Sequence, residues 1–109
     1  MTAASDDLAA RLRPLLARKA VEEKKMFGGV GFMLGGNMLI GTTAKGALLV
    51  RIDPAKADDA LARGAELMHM GAHVMSGFVS VDVKKLEDDA ALKDWIAYSA
   101  KYVKTLPAK

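Results

Sequence analysis

Apolar side chains recur at the spacing of an amphipathic helix near both ends of the chain. Four leucines between positions 8 and 16 form one stripe, and Ser5 followed by two aspartates is typical of a helix start. Pro14 lies within this stripe and is expected to kink or divide the helix, because it lacks a backbone donor. The C-terminal stripe is longer and ends before Pro107; its members are Leu92, Trp95, Ile96, Ser99, Tyr102, Val103 and Leu106.

Between residues 25 and 52 the helical period is replaced by three short apolar runs. They cover Met26–Leu34, Met38–Thr42 and Ala47–Ile52. The two intervening segments hold glycines and other residues that tolerate a positive φ angle. This pattern predicts a three-stranded antiparallel meander.

The second half of the chain predicts one more helix, a short hairpin and the C-terminal helix. Asp53 and Pro54 are typical of a helix start, and Gly64 of a helix end. Phe78–Val83 alternates as a strand, and Ser76-Gly77 predicts a tight turn that pairs it with a short strand at residues 73–75. We therefore expect a single two-layer α+β domain over residues 1–109, with an antiparallel sheet and the order α-β-β-β-α-β-β-α.

Composition limits the classes of protein without naming one. The chain has 109 residues, of which 51% are hydrophobic and 27% charged, and it has no cysteine. This excludes disulfides, thiolate catalysis and Cys-ligated metals. The start of the chain lacks the pattern of a signal peptide, and no apolar run approaches the ~18 residues of a membrane span. We expect a cytoplasmic protein without membrane contact.

The glycine-rich segment at residues 27–31 is not typical of a phosphate-binding loop. A Walker loop needs a Gly-Lys pair, which the chain lacks, and a dinucleotide fingerprint would need glycine where Leu34 stands. The segment also matches part of an RNA-recognition motif, but Gly29 stands where an aromatic side chain would stack on a base. We interpret these glycines as structural.

Candidates for metal binding and catalysis are weak. His69 and His73 alternate with methionines at positions 68, 70 and 75, a set of soft ligands suited to Cu(I). Methionines that fill irregular core space explain the same pattern. The acidic residues lie at helix starts and on helix faces, and no nucleophile is placed beside a base. We expect a non-enzymatic protein without a cofactor or a metal.

Strand alternation in the meander predicts two apolar faces. The face expected beneath the helices carries Met26, Val30, Phe32, Leu34, Met38, Ile40, Leu48, Val50 and Ile52. The opposite face would carry Phe27, Met33, Leu39, Leu49 and Arg51. If all helices pack on one side, this second face is apolar enough to require a partner. The hypothesis is that it binds another protein or a second copy of the chain.

Several blocks of the sequence resemble the N-terminal domain of the TfoX/Sxy family, from about Leu8 to Pro107. The resemblance rests on Lys25–Met33, Gly36–Met38 and Leu49–Ile52, followed by a more scattered C-terminal pattern. Its signature residues, which we interpret as structural, are Met26, Phe27, Gly28, Gly29, Gly36, Asn37, Met38, Arg51, Met75, Gly77 and Trp95. The family commonly shows a Gly-Arg-Pro-Met-Lys-Gly-Trp type of segment, but residues 72–78 here lack its arginine, proline and lysine.

The resemblance implies a fold similar to secretion chaperones and no catalytic residues. Named members of the family regulate competence genes as coactivators with a transcription factor, and larger members carry an additional C-terminal domain. The resemblance thus implies a stand-alone N-terminal domain that acts as a regulatory or protein-interaction module, with a homodimer as one form of that interaction.

Two other functions stay open from the residues themselves. The first is a nucleic-acid-binding domain, for which the candidate contacts are Lys24, Lys25, Arg51 and the C-terminal lysines. The net charge of +3 would favour such contacts, but basic and acidic residues are interspersed along the chain. The second is a domain that binds a small ligand or a metal.

Overall fold

The computed structural model describes residues 3–17, 21–26, 29–43, 46–70 and 73–107, and within them three α-helices and six β-strands. In chain order these are α1 (Ala3–Leu15), β1 (Val21–Met26), β2 (Gly29–Leu34), β3 (Asn37–Thr42), β4 (Leu48–Arg51), α2 (Ala57–Ala62), β5 (Glu66–Met70), β6 (His73–Val81) and α3 (Asp89–Val103). Short 3₁₀ turns at Pro54–Lys56 and Val83–Lys85 precede α2 and α3.

The strands form one antiparallel sheet in the order β1-β2-β3-β4-β6-β5. The α+β class and the antiparallel sheet are therefore confirmed. The observed order is α-β-β-β-β-α-β-β-α, which has one strand more than expected. The additional strand is β1, whose residues 22–25 are two glutamates and two lysines, all exposed. This strand lies at the sheet edge and has no apolar alternation by which the sequence could reveal it.

The three helices contribute side chains to one core against a single face of the sheet, which gives the expected two layers. Leucines from α1, Ala60 from α2 and six residues of α3 are buried there. The sheet contributes the predicted residues Val30, Phe32, Ile40, Leu48, Val50 and Ile52. The helical stripes at both ends of the chain are confirmed.

The expected start signal is confirmed for α3, whereas Asp53 and Pro54 begin the 3₁₀ turn that precedes α2, and α2 itself begins at Ala57 without a side-chain cap. The start of α1 also differs from the prediction. The carboxylates of Asp53 and Asp88 each accept a hydrogen bond from the backbone N–H two residues later, at 3.0 Å. Helix α1 begins at Ala3, two residues before the predicted start at Ser5. Pro14 does not divide it, since the helix continues to Leu15 and ends one residue after the proline. A proline so close to the helix end interrupts little of the hydrogen-bond ladder.

A β-bulge between β2 and β3 overturns part of the predicted alternation. Phe32 pairs with Ile40 and Met33 with Met38, so Leu39 is an extra residue in β3. Leu39 consequently belongs to the core, with 0% exposure, although strict alternation placed it on the opposite face. Met38, expected in the core, is half-buried, and its Cε lies near Gly41. One extra residue inverts the side of every residue beyond it.

The predicted turn at Ser76-Gly77 is wrong. Strand β6 runs without interruption from His73 to Val81, and its hairpin partner is β5, with Glu66 opposite Ser80 and Met70 opposite His73. Gly77 adopts a φ of +85° within β6, and its carbonyl accepts a hydrogen bond from the N–H of Ile52 at 2.8 Å. Its positive φ bends a strand instead of reversing the chain.

Candidate functional site

An open cleft of about 720 Å³ lies between the segment that carries α2 and the exposed side of α3. The Asp53 cap and Pro54 turn the chain out of β4 into α2, which places one wall of the cleft. The other wall is α3. The lining residues are Asp53, Lys56, Asp59, Arg63, Asp94, Ala97, Tyr98, Lys101, Tyr102 and Thr105.

Three side chains across the middle of the cleft are joined by hydrogen bonds. The Tyr98 hydroxyl donates to Oδ2 of Asp59 at 2.9 Å, and Nε of Arg63 donates to the same oxygen at 3.2 Å. The Arg63 guanidinium carbon lies 4.6 Å from the Tyr98 ring centroid. Trp95 packs edge-on against the same ring, with centroids 5.5 Å apart. These contacts connect α2 to α3 and hold Tyr98 in place.

The same contacts shift the pKa values of Asp59 and Tyr98 in opposite directions. The hydrogen bond from Tyr98 and then that from Arg63 lower the pKa of Asp59 below its ordinary value of 3.8. Partial burial, followed by the bond to Asp59, raises the pKa of Tyr98 above its ordinary value of 10.0. Near neutral pH the cleft therefore presents an ionised carboxylate and a protonated phenol.

Arg51, at the end of β4, lies beside the cleft. Its guanidinium carbon is 4.9 Å from the ring centroid of Phe78, its partner on β6, and 5.8 Å from that of Tyr102. The Nε atom is buried and has no hydrogen-bond partner. Tyr102 both lines the cleft and contacts Arg51, so the two features adjoin.

The glycine of the family signature in β2 has a steric role. An added Cβ at Gly29 would lie 2.1 Å from the carbonyl oxygen of Thr42, and one at Gly41 would lie 2.5 Å from the carbonyl oxygen of Val30. Backbone atoms of β2 and β3 thus approach too closely for any side chain at these positions. This agrees with the structural interpretation of Gly29.

The Gly36-Asn37 part of the signature also has a structural place. Gly35 and Gly36 have φ angles of 60° and 83° and form the hairpin turn between β2 and β3. Asn37 is the first residue of β3 rather than part of the turn, and its Nδ2 donates to the Pro107 carbonyl at 2.9 Å. Trp95 is in the core with 8% exposure.

The structure does not assemble the predicted interaction face of Phe27, Met33, Leu39, Leu49 and Arg51. Leu39 is in the core, and Leu49 is 4% exposed. Met33 and Arg51 are half-buried. Phe27 lies outside the described residues. Leu67, with a relative exposure of 38%, is the exposed large hydrophobic residue among those whose side chains are described.

Some residues of the family signature and some candidate metal ligands lie outside the part of the chain that the structure describes. Phe27 and Gly28 lie outside the described residues, as do the side chains of Met26 and Met75. The same holds for the side chains of His69 and His73. Within the described residues, no three His, Asp or Glu side chains are grouped as metal ligands.

The candidate nucleic-acid contacts are spread over different parts of the molecule. Lys24 and Lys25 are adjacent in β1 and so point to opposite sides of the strand. Lys101 and Lys104 are on and just after α3, and Arg51 is half-buried between two rings.

The cleft itself was not predicted from the sequence. The periodicity of α3 places Tyr102 in its core stripe, and it does not distinguish Tyr98. The available signals were the four-residue spacing of Asp59 and Arg63, which suits an ion pair on one helix face, and the tyrosine one turn from Tyr102. Neither signal indicates that α2 and α3 face each other across a gap.

Fold and site together define a small α+β domain with a six-stranded antiparallel sheet, helices on one face and a tyrosine-lined cleft between two of them. The family model of the TfoX N-terminal domain matches residues 12–102, and the chain belongs to this family. No curated protein matches the chain. In the part of the chain that the structure describes, no helix is both long and apolar enough to cross a bilayer.

Proposed function

We propose that this chain is a non-enzymatic regulatory module that binds a protein partner through the cleft between α2 and α3. The observation that carries the proposal is the composition of the cleft walls. Tyr98, Tyr102 and Arg63 are of the residue types that protein interfaces favour, and they line a concave surface beside a buried core. Contacts with Asp59 and Trp95 hold the Tyr98 ring before a partner arrives, which reduces the entropy lost on binding.

The chain belongs to the TfoX N-terminal domain family, and this supports the same proposal. The resemblance to that family implies regulators that act together with a transcription factor. A role in transcription through such a partner is the form of regulation that we propose. The contact at Gly29 and the bond of Asn37 explain two residues of the family signature by their role in the fold.

The test is capture of partners by the tagged chain from its native cells, with two matched charge reversals on α3. Lys101→Glu changes a residue of the cleft wall, whereas Lys93→Glu changes an exposed lysine of the same helix outside the cleft. We expect the wild type and Lys93→Glu to capture the same protein and Lys101→Glu to lose it.

Calorimetry with the purified partner should then show that Lys101→Glu weakens binding at least tenfold. Equal capture by both variants would contradict binding through the cleft. Failure of the wild type to capture any protein would contradict the interaction module itself. A gel shift on nucleic acid at low salt, abolished by Lys101→Glu alone, would instead favour the nucleic-acid alternative.

A further inference from the structure

Arg51 differs from the other arginines of the described residues in having no carboxylate partner. Arg11 donates to Asp89 at 3.0 Å and to the Leu86 carbonyl at 2.6 Å. Arg13 donates to Glu23 at 2.6 Å, and Arg63 to Asp59 at 3.2 Å. Arg51 makes ring contacts only, and its buried Nε has no acceptor. A buried donor without an acceptor is rare in folded proteins, and it needs an explanation.

The two rings contact the guanidinium without satisfying its donors. Phe78 and Tyr102 lie 4.9 and 5.8 Å from the guanidinium carbon, distances at which a ring face attracts the cation. The N–H groups of a guanidinium point outward in its own plane, so stacking on a ring leaves them unbonded. The two rings therefore hold the guanidinium in place, and its terminal N–H groups are the donors that another acceptor could reach.

The charges around the site favour an anion at this position. The cleft beside Arg51 is lined by three cations, Lys56, Arg63 and Lys101, and by three aspartates, so its formal charges balance. Asp59 is already bonded by Tyr98 and Arg63, and Asp53 by the Ala55 N–H. Arg51 adds one positive charge at the edge of a cleft that is otherwise neutral.

We propose that Arg51 is the docking point for a carboxylate carried by an acidic side chain of the protein partner. The planar fork of an arginine matches the two oxygens of a carboxylate, which would bond the terminal N–H groups of Arg51, because the buried Nε is closed to a partner. The segment bearing the carboxylate would continue along Tyr102 into the cleft. This inference rests on the proposed function for the nature of the partner, but the carboxylate site itself can be tested without it.

The experiment follows the Nε–Hε resonances of the five arginines by ¹⁵N NMR, with Arg51→Lys used to assign the Arg51 signal. The probes are a capped peptide with two glutamates between leucine and tyrosine residues, its glutamine counterpart, sodium acetate and inorganic phosphate. We expect the glutamate peptide and acetate to shift the Arg51 resonance selectively, with no shift from the glutamine peptide. Arg51→Lys should weaken binding of the glutamate peptide at least tenfold, because lysine keeps the charge and loses the fork.

The proposal would be overturned if neither the glutamate peptide nor acetate shifted the Arg51 resonance. It would also be overturned if these probes shifted the resonances of the other arginines as much as that of Arg51. A shift caused by phosphate and by neither carboxylate would assign the site to a phosphate instead. If Lys101→Glu abolishes capture of the partner but Arg51→Lys captures it as the wild type does, the proposed function holds and this inference fails. If the glutamate peptide binds at Arg51 and no partner is captured, the proposed function fails and the carboxylate site stands.

Discussion

At the scale of single residues, close backbone contacts explain why glycine stands at positions that have no catalytic or binding role. Gly29 and Gly41 bring β2 and β3 together at distances that a Cβ cannot occupy. Asn37 uses its amide as a long-range donor. The sequence reveals such residues as small or polar but does not show what they touch, since the atom that each one meets belongs to a distant part of the chain.

Gly29→Ala should destabilise the fold strongly, by about 3 kcal/mol or more, because the Thr42 carbonyl at 2.1 Å from the new Cβ is backbone and cannot rotate away. Denaturant unfolding measures this change. Gly64→Ala is the comparison: its φ of +98° adds strain, but the nearest atoms are those of the Lys85 side chain at 3.6 Å. We expect Gly64→Ala to cost about 1–2 kcal/mol. A smaller loss for Gly29→Ala than for Gly64→Ala would contradict the steric argument.

The bond between Asp59 and Tyr98 should contribute a pH-dependent stability term. The pKa of Asp59 is lowered in the folded state from its ordinary value of 3.8, so its contribution is present above that value and is lost as pH falls through the lowered pKa. Tyr98→Phe removes the largest cause, and the pKa of Asp59 should move back up toward 3.8. Carboxyl ¹³C titration of Asp59 measures it.

Tyr102→Phe is the control for this titration, since it removes a hydroxyl from the same cleft that is not bonded to Asp59. It should leave the titration of Asp59 unchanged. Equal titration curves in the wild type and in Tyr98→Phe would show that the bond does not form in solution.

At the scale of elements, the sequence identifies those that bury a continuous apolar stripe and misses those that do not. Both terminal helices and the three apolar strands of the first half were predicted. Strand β1 was missed because its pairing depends on backbone groups and on its place beside β2, while its side chains are glutamates and lysines. The bulge at Leu39 was missed because an extra residue leaves no trace in composition. The glycine at position 77 indicated a turn, yet a positive φ also fits a bend within a strand.

Asp88→Ala should destabilise the protein by about 1 kcal/mol, because it removes the acceptor that caps the Ala90 N–H at the start of α3. Thermal or urea unfolding provides the measurement. Asp94→Ala removes the same side chain from an exposed position within α3, where it caps no helix end, and should change the stability by less than about 0.5 kcal/mol. Similar losses in the two variants would exclude a capping role for Asp88.

At the scale of the whole molecule, one core unites the three helices with one face of the sheet, and the site arises where two helices diverge. The two-layer class was predictable, because both helical stripes and the strand alternation require a shared apolar interior. The cleft was not predictable, since its walls come from Asp59 and Tyr98, which are far apart in sequence and are joined by one bond. Arg51 appeared in the family signature, but its missing acceptor is visible only from the packing around it.

Asn37→Ala should destabilise the fold by about 1–2 kcal/mol, because its amide bonds the start of β3 to the Pro107 carbonyl beyond α3 and is only 8% exposed. Amide hydrogen exchange should speed up in the last turn of α3 as well as in the hairpin of β2 and β3. Thr105→Ala removes a local bond to the Tyr102 carbonyl in the same region and should change global stability by less than about 0.5 kcal/mol. Exchange that speeds up in the hairpin alone would contradict a coupling between the two ends of the bond.

The glycine contacts between β2 and β3 have a consequence for how the chain excludes wrong alignments during folding. Glycine-rich strands usually allow neighbouring strands to slip, because they offer few side chains to fix the register. Here a slip by one residue in either direction would bring Ile40 or Thr42, in place of Gly41, against the carbonyl of Val30, and it would also move Leu39 out of the interior. Steric exclusion thus adds to the specificity that the buried Phe32 and Ile40 give this hairpin. In the neighbouring registers of β2 and β3 a side chain would meet backbone atoms that only a glycine can approach.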